Sequence, residues 1–197
     1  MTILQTKKGV YEVRWHARGG QGAVTASRFL AAAALREDKY FQGFPEFGSE
    51  RMGAPIQAFN RISSEKIYVH EQITEPDAVV VLDPTLLGVV DVAAGLGEGG
   101  VLVVNTAESP ADIRNKLNLK PGVKAFTIDA TRIATECIGR PITNTAMVGA
   151  LVRVTGLVDF ANVRAELEAS FAGKFRASVV QGNLKALDRA YEEVKGL

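Results

Sequence analysis

The sequence predicts an α/β domain in three layers, with a mixed, mostly parallel sheet closed by C-terminal helices, and three observations carry that reading. A strand of period two near the start runs straight into a glycine cluster and then a stretch rich in Ala and Leu. Two short, continuous apolar runs follow at 78–82 and 101–104, each suited to a strand buried on both faces. From residue 144 onward the composition is helix-forming almost throughout. Strand, glycine turn and helix in that order open an α/β fold. With 197 residues, 47% hydrophobic and 23% charged, the chain is sized for one domain, 1–197, and its composition excludes a disordered or fibrous protein.

Tyr11, Val13 and Trp15 alternate with Glu12, Arg14 and His16, which predicts a half-buried first strand. The first helix follows over 23–35, closed by Glu37, Asp38 and Lys39. Residues 40–54 hold Gly43, Pro45, Gly48 and Gly53 with Phe41, Phe44 and Phe47, and read as one long loop. Gln57, Phe59 and Arg61, then 67–69, read as two strands of a hairpin. After the apolar strand at 78–82, Asp83-Pro84 is a turn signal. Ser109, Pro110 and Asp112 supply an N-cap, a proline at the first helical position and an acid at the positive end of the dipole, so a helix runs from Pro110 to about Leu117. A strand over 123–128 and helices over 129–138, 144–154, 159–171 and about 181–194 complete a Rossmann-like order.

Lys and Arg number 23 against 22 Asp and Glu, a formal charge of +1, which argues against a dedicated nucleic-acid binder. Residues 1–60 carry a local excess of positive charge, in the segment with the most unusual motifs. A lone cysteine, Cys137, cannot close a disulfide within the chain or supply the thiolates of a zinc or iron-sulfur centre, and only His16 and His70 add soft ligands. No metal site is therefore expected. No apolar run approaches the roughly 20 residues of a membrane span, and the polar start with Lys7 and Lys8 lacks the pattern of a secretory signal. These features predict a cytoplasmic chain with no membrane contact.

The sharpest local signal is Ala17-Arg18-Gly19-Gly20-Gln21-Gly22, between the first strand and the first helix. Glycines let backbone amides approach a ligand, and the helix start offers unpaired N–H donors to an anion such as phosphate. Arg18 adds a full charge and a donor fork. A plain packing turn explains the same residues equally well. The spacing is neither a dinucleotide fingerprint, since Ala17 stands at its first glycine and no acid ends a second strand about 20 residues on, nor a P-loop. In the loop, exposed phenylalanines would suit a subunit interface or ligand cleft better than solvent, against the alternative of folding onto the domain's own core. Asn144 opens the late helix, a second anion-receptive end that capping alone also explains. Asp83 stands where such sheets place ligand-facing residues, yet Asp-Pro is also an ordinary turn. His16 and His70 read as strand or surface residues and Cys137 as a small core residue.

Taken together, Trp15-His16-Ala17-Arg18-Gly19-Gly20-Gln21-Gly22, the stretch from Pro45 through the P-x-F-G-x-E-R-x-G-A-P loop to Arg61, and Asn144-Thr145-Ala146-Met147-Val148-Gly149-Ala150 resemble the gamma subunit of 2-oxoacid:ferredoxin oxidoreductases, most closely the pyruvate branch. The order and spacing match over nearly the whole chain, with Ala17 the departure where that family usually has glycine. The resemblance implies a heteromer of alpha, beta, gamma and delta subunits that converts pyruvate and coenzyme A to acetyl-CoA and carbon dioxide and reduces ferredoxin. It implies thiamine diphosphate between alpha and beta, and iron-sulfur (4Fe-4S) clusters on partner subunits. For this chain it implies assembly and a share of the coenzyme A site, with Arg18, Gly19, Gly20, Gln21, Gly22, Arg51 and Asn144 as binding residues and no catalytic acid or base. Another 2-oxoacid, whether branched-chain, 2-oxoglutarate or aromatic, and an independent Rossmann-type oxidoreductase binding NAD or flavin, are the competing expectations.

Overall fold

The first strand, β1 (Val10–Arg18), lies third across a seven-stranded sheet. The protein is described by a computed structural model over residues 9–46 and 53–196. After β1 come α1 (Ala23–Leu35), β2 (Tyr40–Pro45), β3 (Pro55–Ser63) and β4 (Ala78–Val81). A single 3-10 turn (Pro84–Leu86) precedes β5 (Val101–Asn105), α2 (Pro110–Lys116) and β6 (Lys124–Ile128). The chain ends in α3 (Ala130–Ile138), α4 (Asn144–Thr155), α5 (Phe160–Phe171), α6 (Ala177–Glu193) and a two-residue β7 (Lys195–Gly196). The order across the sheet is β2-β3-β1-β4-β5-β6-β7; β1, β4, β5 and β6 are mutually parallel, and β2 runs the same way because both it and β1 are antiparallel to β3. The sheet is thus mixed and mostly parallel, as expected.

One face carries the larger core. Val13, Trp15 and Ala17 of β1 join Val80 and Val103 against Leu30 of α1 and Met147 and Leu151 of α4, with α3 and α6 closing the layer. The opposite face packs Val79, Val81, Leu102 and Val104 against Leu86, Leu96 and Ile113. Burial of these runs on both faces explains their lack of alternation. The Ser109 side chain accepts from the Asp112 amide while Asp112 reaches back to the Ser109 amide, so the predicted start of α2 holds as a capping box.

Three expectations are corrected. Residues 40–45 are not loop but the edge strand β2, paired with β3 from Tyr40 opposite Ser63 to Pro45 opposite Ala58. Gly43 serves close approach and not a turn, because a Cβ there would stand 3.2 Å from the Ser27 hydroxyl on α1. β2 therefore takes the hairpin place expected of 67–69, which form no strand. Segment 64–77 instead crosses over β3, where the carbonyls of Val69 and Glu71 accept from the buried Arg61 guanidinium. Finally, β1 is not half-buried: Arg14 and His16 are only 5% and 3% exposed.

Of the loop phenylalanines, Phe44 folds onto its own domain, its ring centroid 5.2 Å from that of Phe59 and beneath Arg61, while Phe41 stays exposed. Phe47 and the rest of 47–52 lie outside the described residues. Cys137 is half-buried on α3 against the core, and His70 is exposed. No helix among the described residues is long and apolar enough to cross a membrane.

Candidate functional site

The chain leaves β1 toward β3 and β2 on one side and leaves β4 toward β5 and β6 on the other. The carboxyl ends of β1 and β4 therefore flank the point where strand order reverses, which is where open α/β sheets hold ligands. The two ends are tied together, since the Leu82 amide donates to the His16 carbonyl at 2.8 Å. Residues 17–22 on one strand end and 83–85 on the other consequently face each other.

Gln21 joins them. Its side-chain oxygen accepts from the Arg18 amide at 2.8 Å and its Nε2 donates to Asp83 Oδ2 at 2.6 Å. The Gly19 amide donates to the Ala54 carbonyl, and the Gln21 amide to the Arg18 carbonyl. Three of the five amides at 18–22 are thus satisfied within the chain, and the cradle expected over 18–22 is narrower than that stretch. The amides of Gly20 and Gly22 have no hydrogen-bond partner among the described residues. Both glycines adopt positive φ, 94° and 84°, a region that disfavours side chains.

Gly22 is also the N-cap of α1, which has no side-chain cap and no acid in its first turn. The earliest helical bond runs from Ala26 to Gly22, so the amides of Ala23, Val24 and Thr25 have no partners among the described residues; Ala23 is itself wholly buried, while Thr25 is exposed. Asn144, at the start of α4, lies against this end: a Cβ on Gly22 would come within 2.7 Å of its Nδ2. Its oxygen accepts from the Thr145 amide at 2.9 Å, which leaves Nδ2 facing Gly22. Two helix starts and one carboxamide therefore converge on the glycine turn. That convergence suits an anion. Nothing in the spacing of residues 22 and 144 foretold it.

Arg18 turns the other way. Its Nε donates to Thr85 Oγ1 at 3.0 Å, its Nη1 to the Gly53 carbonyl at 3.1 Å, and Nε stands 3.4 Å from Asp83 Oδ2. Burial by itself raises the Asp83 pKa, but hydrogen bonds from Thr85 and Gln21 and the charge of Arg18 outweigh it and hold the group below the ordinary carboxylate value. Asp83 is therefore ionised and saturated. Thr85, which sequence reasoning passed over as part of an Asp-Pro turn, is the side chain that fixes Arg18. Arg51 lies outside the described residues. Ala17 is wholly buried in the helix-side core, so its methyl faces away from the turn's open side. Contrary to the expectation that no acid ends a second strand, Glu46 directly follows β2, but β3 intervenes between β2 and β1, so this acid lies about 10 Å, two strand spacings, from β1 and not on the neighbouring strand from which a ribose contact is made.

The model of the pyruvate ferredoxin/flavodoxin oxidoreductase family matches residues 12–193. The chain belongs to that family. It is similar to the common gamma subunit of pyruvate and ketoisovalerate oxidoreductases from Thermococcus kodakarensis, 50% identical over 182 residues that span 92% of this chain and 96% of that one. It is similar also to the pyruvate synthase subunit PorC of Thermotoga maritima, 48% identical over 192 residues, 98% of either chain. The crystal structure of that organism's pyruvate oxidoreductase subunit PORC superposes with a TM-score of 0.83 at 45% identity, covering 95% of this chain and 98% of that one. The family resemblance carried by the glycine turn, the 45–61 stretch and the 144–150 helix start is thereby borne out, as is the α/β fold. The chain is a subunit of an oxidoreductase that acts on 2-oxoacids.

Proposed function

We propose that this chain is the gamma subunit of a heteromeric pyruvate:ferredoxin oxidoreductase and that its own contribution is to hold a phosphate of coenzyme A at the start of α1. The relatives named for pyruvate synthase, at nearly full coverage, support the reaction. One observation carries the binding role: the uncapped start of α1, free of acids, with the Asn144 carboxamide against it. Unpaired amides, the helix dipole and an amide donor favour a bound anion, while a carboxylate there would oppose one.

Thiamine diphosphate, when bound on partner subunits, supplies the electron sink for decarboxylation, and their iron-sulfur clusters carry electrons to ferredoxin. This chain binds and orients. Holding the coenzyme raises the effective concentration of its thiol at the reacting centre. No side chain at the glycine turn acts as general acid or base: Asp83 is saturated by donors, and the buried His16 stays neutral, its pKa lowered to about 3 by burial and by Arg14. A cytoplasmic location and assembly with alpha, beta and delta subunits complete the reading.

The test is Asn144→Asp in the assembled enzyme. An acid at the start of α4 suits the helix dipole, so the fold tolerates it, yet it sets a negative charge against Gly22. The KM for coenzyme A should rise about tenfold or more, equivalent to about 1.4 kcal/mol, with the KM for pyruvate unchanged. An unaltered coenzyme A KM would refute the assignment.

A further inference from the structure

Arg18 ends β1 with its side chain 29% exposed, and it is held by contacts from two separate segments. Gly53 takes Nη1, and Thr85 takes Nε. The third neighbour, Asp83, comes no closer than 3.4 Å, because Gln21 Nε2 and the Thr85 amide and hydroxyl already occupy its oxygens. Nη2 has no partner among the described residues.

This arrangement differs from a simple loop-joining ion pair. A guanidinium that only bridges two loops is best served by a two-pronged carboxylate contact, which neutralises it. Here a neutral hydroxyl takes the Nε donor, and the available carboxylate is spent on other groups. Asp83, at 3.4 Å, offsets the charge in part without a two-pronged contact, and the guanidinium is aimed with Nη2 unpaired among the described residues. Thr85 is itself rigid: it lies in the 3-10 turn fixed by Pro84, and its amide donates to Asp83 Oδ1 at 2.9 Å. An arginine side chain that must be ordered on binding forfeits rotamer freedom, and one already held does not.

Resting on the coenzyme A reading above, we propose that Thr85 is a positioning residue: its hydroxyl, backed by Asp83, presents the Arg18 guanidinium to a second anionic group of the coenzyme, on the side of the turn away from Asn144. The coenzyme carries phosphate at more than one point, so two separate anion contacts flanking one glycine turn match its chemistry. The contact at Asn144 uses amides and the helix dipole; the contact at Arg18 uses a full charge whose direction Thr85 sets.

The experiment uses the complete enzyme and four variants: Thr85→Val, Thr85→Ser, Arg18→Ala and the double variant. Thr85→Val keeps the shape and removes the hydroxyl from an exposed residue. It should raise the coenzyme A KM about five- to tenfold, with the effect on KM and not on kcat, while Thr85→Ser restores it. Arg18→Ala should raise the KM at least as much, and Thr85→Val in that background should add nothing, because it acts through Arg18. Thr85→Val leaving the KM unchanged while Arg18→Ala raises it would overturn the positioning role and leave the coenzyme A reading standing. Equal increments from Thr85→Val with and without Arg18 would overturn it also. If Arg18→Ala alone changes nothing, Arg18 makes no contact, and Asn144→Asp then decides separately whether the coenzyme binds at the turn at all.

Discussion

On the helix side of β1, Tyr11, Val13, Trp15 and Ala17 meet α1 and α4 through apolar surface, whereas on the opposite side Glu12, Arg14 and His16 lie under segments with little regular structure. Both sides are dry. The first is closed by transfer of apolar area from water, and the second by hydrogen bonds that leave few donors unused. Arg14 illustrates the second: its Nε donates to His16 Nε2 at 3.0 Å, and its Nη2 to the carbonyls of Val92 and Ala94, pinning the segment after the 3-10 turn onto the sheet. Arg61 does the same for 64–77 and pairs with Glu12 at 2.7 Å. The contrast teaches that alternating residue types along a strand report which side chains share a face, and not whether that face meets water.

The largest effect that would sharpen this contrast belongs to the apolar side. Trp15 is fully buried, and its indole N–H donates at 2.8 Å to Asn60, which in turn donates to the Ser27 carbonyl on α1. Trp15→Ala should destabilise the chain by about 3–5 kcal/mol, from the lost apolar contacts and the cavity left behind. Denaturant unfolding of the purified chain measures it. A loss under about 1.5 kcal/mol would mean that α1 and α4 collapse into the space, and that the helix side is less tightly packed than its burial implies.

The two sides also differ in how far the sequence disclosed them. The apolar runs at 78–82 and 101–104, the Ser109 cap and the late helices were legible because each depends on near neighbours in the chain. The burial of Arg14 and His16 was not, because Arg14 is held by carbonyls about 80 residues away and His16 in turn accepts from Arg14. The strand 40–45 was hidden for a related reason: Gly43 and Pro45 look like loop residues until α1 and an open sheet edge give each a use. At the candidate site, the glycine turn announced itself, and the family resemblance added Asn144. The closing of three amides by Gln21, Ala54 and Arg18, and the holding of Arg18 by Thr85, depend on β4 ending beside β1, which no local pattern encodes.

The polar side should respond to acid. Burial, and secondarily the adjacent charge of Arg14, lower the His16 pKa from 6.5 to about 3. Between those values the unfolded chain takes up a proton that the folded chain refuses. Stability should therefore fall as pH drops below about 6.5, with a contribution of about 2 kcal/mol lost by pH 5, and level off beneath pH 3. His16→Gln retains an acceptor for Arg14 and removes the titration. Its midpoint in urea should change less between pH 7 and pH 5 than that of the parent chain. Identical pH slopes in the two proteins would show that water reaches His16, and the two sides of β1 would then differ in dryness after all.

The smallest effect tests the one flaw on the apolar side. The Tyr11 hydroxyl is buried and has no hydrogen-bond partner among the described residues. Burial, and then the negative charge of Asp77, push its pKa above the ordinary value of 10. An unsatisfied buried hydroxyl is a penalty that phenylalanine avoids at nearly the same volume, so Tyr11→Phe should stabilise the chain by up to about 1 kcal/mol at pH 8. Because the folded pKa is raised, the parent chain should lose stability as pH climbs past about 10, where the unfolded state gives up its proton first. The variant should lack that component, so its advantage grows between pH 8 and pH 11. Destabilisation by Tyr11→Phe at pH 8 would place a bonded water at this hydroxyl, and the helix side of β1 would then close by the same mixture of apolar contact and hydrogen bonding as the side that carries Arg14.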